Sequence, residues 1–396
     1  MAHADERLND EVVHVEKMAA GGDAIARLAD GRVVFIRGAL PGEEVRVAIT
    51  TNKRDFARGS VAEVVRPSPY RQAPPCPELA KGCGGCGWQH GAPDAQLGWK
   101  TEIVADALRR TAKLPSADVR AGASVGPWAY RTSMRLAVGD GGRLGLRAAS
   151  SHRVVPLDTC MVAHPLLAEL VAAARVIDAE EISLRVSLLT GEATAWSPSP
   201  AARIEGLPAR VAVGSQAVLR ERVAGIDLQV SAGSFFQSGP EAAELLVRTV
   251  TEACGEVLSG LAGPLLDAYG GIGLFAATLG APHSIVVESS ASSCADAEVN
   301  LGDRATVVRS TFERWTPTPV QLAVADPARA GLGREACGVL AATGAGRLVL
   351  VSCDPVSLAR DSTLLAAHGY DHAGSTVLDL FPHTPHVEVV TRFDRR

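Results

Sequence analysis

The junction Pro264-Leu265-Leu266-Asp267-Ala268-Tyr269-Gly270-Gly271-Ile272-Gly273-Leu274-Phe275 constrains the fold more than any other stretch of the chain. An apolar run too short for a core helix feeds a glycine-rich turn and then a helical pattern. Glycines let the backbone turn tightly and approach a ligand at the carboxyl end of a strand, where open α/β sheets bind cofactors. The next apolar run, Ser284-Ile285-Val286-Val287-Glu288, ends on an acid suitably placed to meet ribose hydroxyls. After Pro240 strand and helix patterns alternate in this way, which implies βαβ units and a mainly parallel sheet.

The turn reads Gly270-Gly271-x-Gly273, with Asp267 at the strand end. Dinucleotide folds carry Gly-x-Gly-x-x-Gly, so this pattern suits an S-adenosylmethionine-dependent methyltransferase better. Three further strand ends carry reactive groups. Val320-Gln321-Leu322-Ala323-Val324-Ala325 ends at Asp326-Pro327-Ala328-Arg329, and Leu348-Val349-Leu350-Val351 ends at Ser352-Cys353-Asp354-Pro355. Near the end of the sequence, Leu380-Phe381-Pro382-His383-Thr384-Pro385-His386-Val387 leads to Glu388, which opens a last strand. A cysteine at a parallel strand's carboxyl end lies where catalytic residues of such sheets collect, although a buried free cysteine is more commonly packing.

The first half has a different texture. Short Val-rich runs between residues 8 and 66, separated by Gly, Pro and Asp, predict a small β-barrel of the oligonucleotide-binding kind. Residues 67–235 read as a β-rich central region, with an amphipathic helix within 94–118, a candidate to pack on the cofactor domain, whose apolar positions are Leu97, Val104, Ala107 and Leu108. Residues 236–396 then form the cofactor domain. At 396 residues two or three domains are expected. The polar start and the lack of a long apolar run predict a cytoplasmic chain with no membrane partner.

Eight cysteines in such a chain are read as thiols, ligands or nucleophiles rather than disulfides. Cys76, Cys83 and Cys86 cluster and Cys160 stands apart, a set that could hold zinc or an iron–sulfur cluster. The formal net charge of −5 is not the usual footprint of a nucleic-acid binder. The run Asn52-Lys53-Arg54-Asp55-Phe56-Ala57-Arg58 is nevertheless locally basic, with Arg66 and Arg71 close behind.

These elements in this order resemble the tRNA/rRNA (uracil-5-)-methyltransferase family, in the branch with an N-terminal TRAM domain and an iron–sulfur cluster. The resemblance spans nearly the whole chain. It rests on Cys76-x6-Cys83-Gly84-Gly85-Cys86 with Cys160, Phe235-Phe236-Gln237, Asp267-x2-Gly270-Gly271-Ile272-Gly273, Asp326-Pro327-x-Arg329-x-Gly331, Val351-Ser352-Cys353-x-Pro355 and Phe381-Pro382-His383-Thr384-x-His386-Val387-Glu388. It implies a Rossmann-like class I methyltransferase domain, Cys353 as a thiolate attacking uracil carbon 6, and Glu388 as the base that removes the proton from carbon 5. A lowered thiol pKa would help Cys353 in that role. Gln237, Tyr269, Leu274, Glu288 and Asp326 match cofactor-binding positions, and Cys76, Cys83, Cys86 and Cys160 match ligands of a four-iron ([4Fe-4S]) cluster.

The implied partner is RNA, with 23S rRNA favoured over tRNA, acted on by a monomer; Trp88 and Phe56 are candidate stacking residues, each equally plausible as packing. His383 and His386 are read as structural. The chain departs from the family at Ser238-Gly239, where Asn usually stands two residues beyond the Gln, at Ala328, the usual second Pro, and near Thr311. Two other readings remain: a methyltransferase of DNA or a small molecule in which Cys353 is packing, and a non-catalytic RNA-binding protein that keeps the fold.

Overall fold

The computed structural model describes residues 11–396, so the polar start and residues 8–10 of the expected barrel lie outside the described residues. Val12–Met18, Ala24–Arg27, Val33–Arg37, Glu44–Asn52 and Phe56–Arg66 close into a five-stranded barrel. Alternation drives it: Val13, Val15, Val34, Ile36, Val45 and Val47 point inward and are buried, while their neighbours along each strand face outward.

The central region carries a six-stranded sheet that includes Ser133–Val138, Glu181–Val186 and Ala193–Trp196, covered by the Pro165–Ala173 helix. The catalytic layer is an eight-stranded sheet. Its order is Ala305–Arg309, Ser284–Glu288, Leu265–Ala268, Leu322–Ala325, Arg347–Ser352, Glu388–Arg395, Tyr370–Asp379 and Val119–Ser124. The first five strands are parallel, and Glu388–Arg395 runs antiparallel to both of its neighbours. Leu265–Ala268, Leu322–Ala325 and Arg347–Ser352 are buried along their whole lengths, as befits strands covered on both faces by helices.

Two segments of the expected central region join the catalytic layer: the helix read as a candidate to pack on the cofactor domain, and a strand that the sequence left with the central region. Val119–Ser124 pairs in parallel with Tyr370–Asp379 at the sheet edge. The Pro93–Arg110 helix packs beside it, burying Gln96, Trp99, Lys100, Ile103, Val104 and Leu108. Of the apolar positions expected to face the core only Val104 and Leu108 are fully buried; Ile103 and the unexpected Gln96, Trp99 and Lys100 complete that face.

Candidate active site

Sheet register gathers the strand-end groups. Ser352 pairs with Val389 across an antiparallel ladder, so Cys353 leaves one strand opposite the point where Glu388 enters the other. Ala325 pairs with Leu350 on the parallel side, which brings Asp326 to the same rim. The three groups sense one another electrically. Burial pushes the Cys353 thiol up to about 11, the charges of Glu388 and Asp326 add to the rise, and Arg329 opposes it. Burial raises Asp326 to about 7. Glu388 is raised well above the ordinary carboxylate range by burial and then by Asp326. The resting thiol is therefore harder to ionise than a free cysteine, so it lacks the lowered pKa that would help it in the role the resemblance implies. Burial is the main cause, and the two acids, with only one guanidinium to oppose them, add to it.

Arg329 was visible in the sequence as part of a motif but carried no assigned role. Its Nη2 lies 3.3 Å from Nδ1 and 3.4 Å from Nε2 of His386. Burial, followed by Arg329, lowers His386 to about 4, which leaves the imidazole neutral at pH 7. His383 is fully buried and is lowered to about 4, mainly by burial.

Beside this rim, Gln237, Tyr269, Leu274 and Asp326 line one cleft together with Phe235, Phe236, Gly270 and Gly271. Tyr269, Gly271 and Gly273 have φ of +58°, +54° and +83°, so the turn rises through left-handed backbone, and Tyr269 does so without the freedom of glycine. The Tyr269 hydroxyl donates to Glu313 at 2.8 Å, and its ring leans on Phe312. Asp267 is fully buried, accepts the Ala276 N–H at 2.9 Å and keeps its other oxygen unpartnered. Burial pushes it to about 8.

Glu288 stands at its strand end and braces the turn rather than lining the cleft wall. It accepts N–H groups of Gly271, Ser289 and Ser290 at 3.1, 2.7 and 2.6 Å. One of the sequence departures, at Ser238-Gly239, has a local reason. A Cβ at Gly239 would lie 2.5 Å from the Tyr130 carbonyl oxygen, so no asparagine fits there. Ser238 is held by its backbone, whose carbonyl accepts the Thr132 N–H at 2.8 Å. Nothing in the structure explains Ala328 or Thr311.

Cys76, Cys83, Cys86 and Cys160 line a single cavity of about 120 Å³, walled by Leu79, Leu146, Leu157 and Val162. Burial raises Cys83 and Cys160, and pushes Cys86 to about 11 while the Gln89 amide opposes the rise. Glu78 also lines the cavity, and its Oε2 is buried without a hydrogen-bond partner. Among the described residues no three His, Cys, Asp or Glu side chains stand close enough to grip a single metal ion. Arg131, which sequence reasoning did not select, reaches from this cavity toward the rim: its guanidinium lies 5.5 Å from the Phe381 ring centre. Trp88 is only 1% exposed, so of its two readings the packing one holds and it does not stack on a nucleobase. Phe56 is half-buried on the barrel, where Arg58 lies over both it and Phe35.

Among the described residues no helix is long and apolar enough to cross a membrane. Residues 12–62 match the family model of the TRAM domain. An uncharacterized RNA methyltransferase of Streptomyces avermitilis is 34% identical, with 96% of each chain covered. The 23S rRNA (uracil(1939)-C(5))-methyltransferase RlmD of Methylococcus capsulatus is 33% identical, again over 96% of both. In fold, the chain is similar to the Pyrococcus abyssi tRNA (uracil-54, C5)-methyltransferase solved with S-adenosyl-L-homocysteine. The TM-score is 0.73 at 23% identity, over 97% of this chain and 100% of that one. On the strength of these full-length relatives, the chain belongs to the RNA (uracil-C5-)-methyltransferase family and is an RNA methyltransferase.

Proposed function

We propose that the protein transfers a methyl group from S-adenosylmethionine to carbon 5 of a uracil in RNA, 23S rRNA being favoured by its relatives, through a covalent adduct of Cys353. The observation that carries this reading is the convergence of Cys353, Glu388 and Asp326 on one rim, beside the glycine-turn cleft. Carbon 5 of uracil is a poor nucleophile. Attack of the Cys353 thiolate on carbon 6 turns the ring into an enolate whose carbon 5 takes the methyl group from the sulfonium, releasing S-adenosylhomocysteine. Glu388 then accepts the proton from carbon 5, the carbon 5–carbon 6 double bond re-forms, and the thiolate leaves. A carboxylate with a raised pKa is the stronger base for that proton.

Gln237, Tyr269, Leu274 and Asp326 hold the cofactor in the cleft, and Glu288 keeps the turn in shape. The target base is unstacked from its RNA to reach the rim, while the barrel and Arg131 hold the flanking strand. The four-thiol cavity fits a [4Fe-4S] cluster on Cys76, Cys83, Cys86 and Cys160: the sulfurs surround one space, too widely for one ion, and an orphan carboxylate oxygen borders it. When bound, such a group cross-links the 76–86 segment to Cys160 and supplies no electron to methyl transfer.

The reading is tested by incubating the protein with cellular RNA and S-adenosylmethionine carrying a labelled methyl group. Label recovered as 5-methyluridine supports it; label in another nucleoside, in DNA or in small molecules overturns the assigned position or substrate.

A further inference from the structure

The loop from Phe381 to Glu388 is held by residues that lie outside the cofactor domain. His383 adopts φ +67°, a left-handed conformation that is unfavourable for a non-glycine residue and has to be enforced by its surroundings. Both of its backbone polar groups are taken. The His383 N–H donates to Gln96 Oε1 at 2.7 Å, and its carbonyl accepts the Trp88 N–H at 2.9 Å. The indole of Trp128 stacks on the imidazole with 4.0 Å between ring centres.

Gln96 is the hub of this arrangement. Its side chain is fully buried, and its amide also donates to the carbonyls of Gly91 at 2.9 Å and Trp88 at 3.3 Å. One turn further along the same helix, Lys100 is buried as well. It pairs with Asp379 at 2.6 Å and donates to the Phe381 carbonyl at 3.2 Å, at the start of the loop. The barrel closes the other side. Trp88 Nε1 donates to the Gly22 carbonyl at 3.0 Å, and Gly22 meets Pro385 so closely that a Cβ there would lie 2.9 Å from the proline Cβ.

We propose that Gln96 is a positioning residue for Glu388: it locks the loop at His383, and through Trp88 it joins the barrel's Gly22 turn to that lock. The inference rests on the covalent reading above. Glu388 opens its strand directly after this loop, whereas Cys353 follows the Arg347–Ser352 strand, which the loop does not adjoin in the chain, so Cys353 does not share the dependence. The cofactor cleft is built from other residues. Loosening the lock therefore spares the formation of the carbon 6–sulfur bond and the methyl transfer. It slows only the removal of the carbon 5 proton by Glu388, the step that expels the thiolate. The methylated adduct then accumulates.

The test uses the full chain, RNA containing natural uracil, and S-adenosylmethionine, stopped in denaturant during turnover. Gln96→Met keeps the side-chain length and removes every hydrogen bond. We expect the RNA-linked fraction to rise about fivefold or more while turnover falls about tenfold or more and cofactor affinity is unchanged. Trp88→Phe keeps an aromatic ring and removes the bond to Gly22; it should show the same pattern, weaker, and decides alone if Gln96→Met does not fold. Linked fraction and turnover that fall together, or that both stay unaltered, overturn the assignment. A failure of the parent reading looks different: the unaltered chain then yields no Cys353-dependent linkage even to RNA containing 5-fluorouracil, and this assignment falls with it.

Discussion

The rim of the catalytic sheet and the latch behind it are built in opposite ways. At the rim, Cys353 and Asp326 each sit one residue beyond a buried strand and Glu388 opens another, so the ladder that pairs the strands also brings these positions together. The latch has no such ladder. Gln96, Lys100, Trp88 and Gly22 reach the same loop from a helix, a cysteine-rich segment and a barrel turn, each by its own hydrogen bond or close contact. A parallel sheet can thus gather chemistry at its carboxyl edge by backbone pairing alone. Holding the loop that delivers a base demands tertiary docking.

The comparison is sharpest where effects are largest. Cys353→Ala should reduce methyl transfer by about 10⁴-fold or more while leaving the fold and RNA affinity intact, measured by turnover alongside a binding titration. Activity retained within tenfold would return Cys353 to packing. Glu388→Gln is expected to lower turnover by about 10²–10⁴-fold and to leave enzyme linked to RNA. Because Glu388 helps to raise the thiol, the same substitution should shift the midpoint of Cys353 alkylation below its starting value of about 11, read from the pH dependence of labelling. No shift would mean that the two side chains do not face each other.

The latch gives a stability effect next in size. Lys100→Met leaves the Asp379 carboxyl buried without its partner and should cost about 3–5 kcal/mol in chemical denaturation. Replacing both residues by apolar ones should restore much of that loss, which a solvated pair would not do.

Asp267 supplies a smaller, signed effect at the glycine turn. Burial raises its pKa from the ordinary carboxylate range to about 8 in the folded chain, so its contribution to stability is complete below the unfolded value and is lost as pH rises to about 8. Asp267→Asn should therefore stabilise the protein above pH 8, by about 1–3 kcal/mol, and flatten the decline of its melting profile between the ordinary carboxylate range and about pH 8. Equal melting profiles for both chains would contradict the burial argument. The smallest expected change is at the barrel: Arg58→Ala removes a guanidinium lying over Phe35 and Phe56, weakening RNA binding several-fold and lowering its salt slope by about one.

The same contrast explains what the sequence disclosed. A short apolar run that stops at Cys353 or Asp326 is a local signal, and the glycine turn before Leu274 is another; both survive without knowledge of the partner strand. The barrel was legible for the same reason, since its strands alternate residue by residue. The latch was hidden. Hydrophobic periodicity reads a helix's buried face from its apolar residues, whereas the Pro93–Arg110 helix buries Gln96 and Lys100, whose partners His383, Phe381 and Asp379 lie near the far end of the sequence. Val119–Ser124 was missed because it is an edge strand with mostly exposed side chains and no apolar run. Trp88 stayed open between stacking and packing because an aromatic beside cysteines looks alike in sequence whether it faces RNA or a core; burial decides for packing.

The most direct test of the account is the incubation of the purified protein with RNA containing 5-fluorouracil and S-adenosylmethionine, followed by denaturing electrophoresis and mass analysis of the linked peptide. Fluorine at position 5 cannot leave as a proton does, so the adduct cannot be resolved. The account predicts a linked band whose peptide carries the nucleotide on Cys353, and its disappearance in Cys353→Ala. A linkage at another residue, or methylated RNA with no linkage at all, would contradict it.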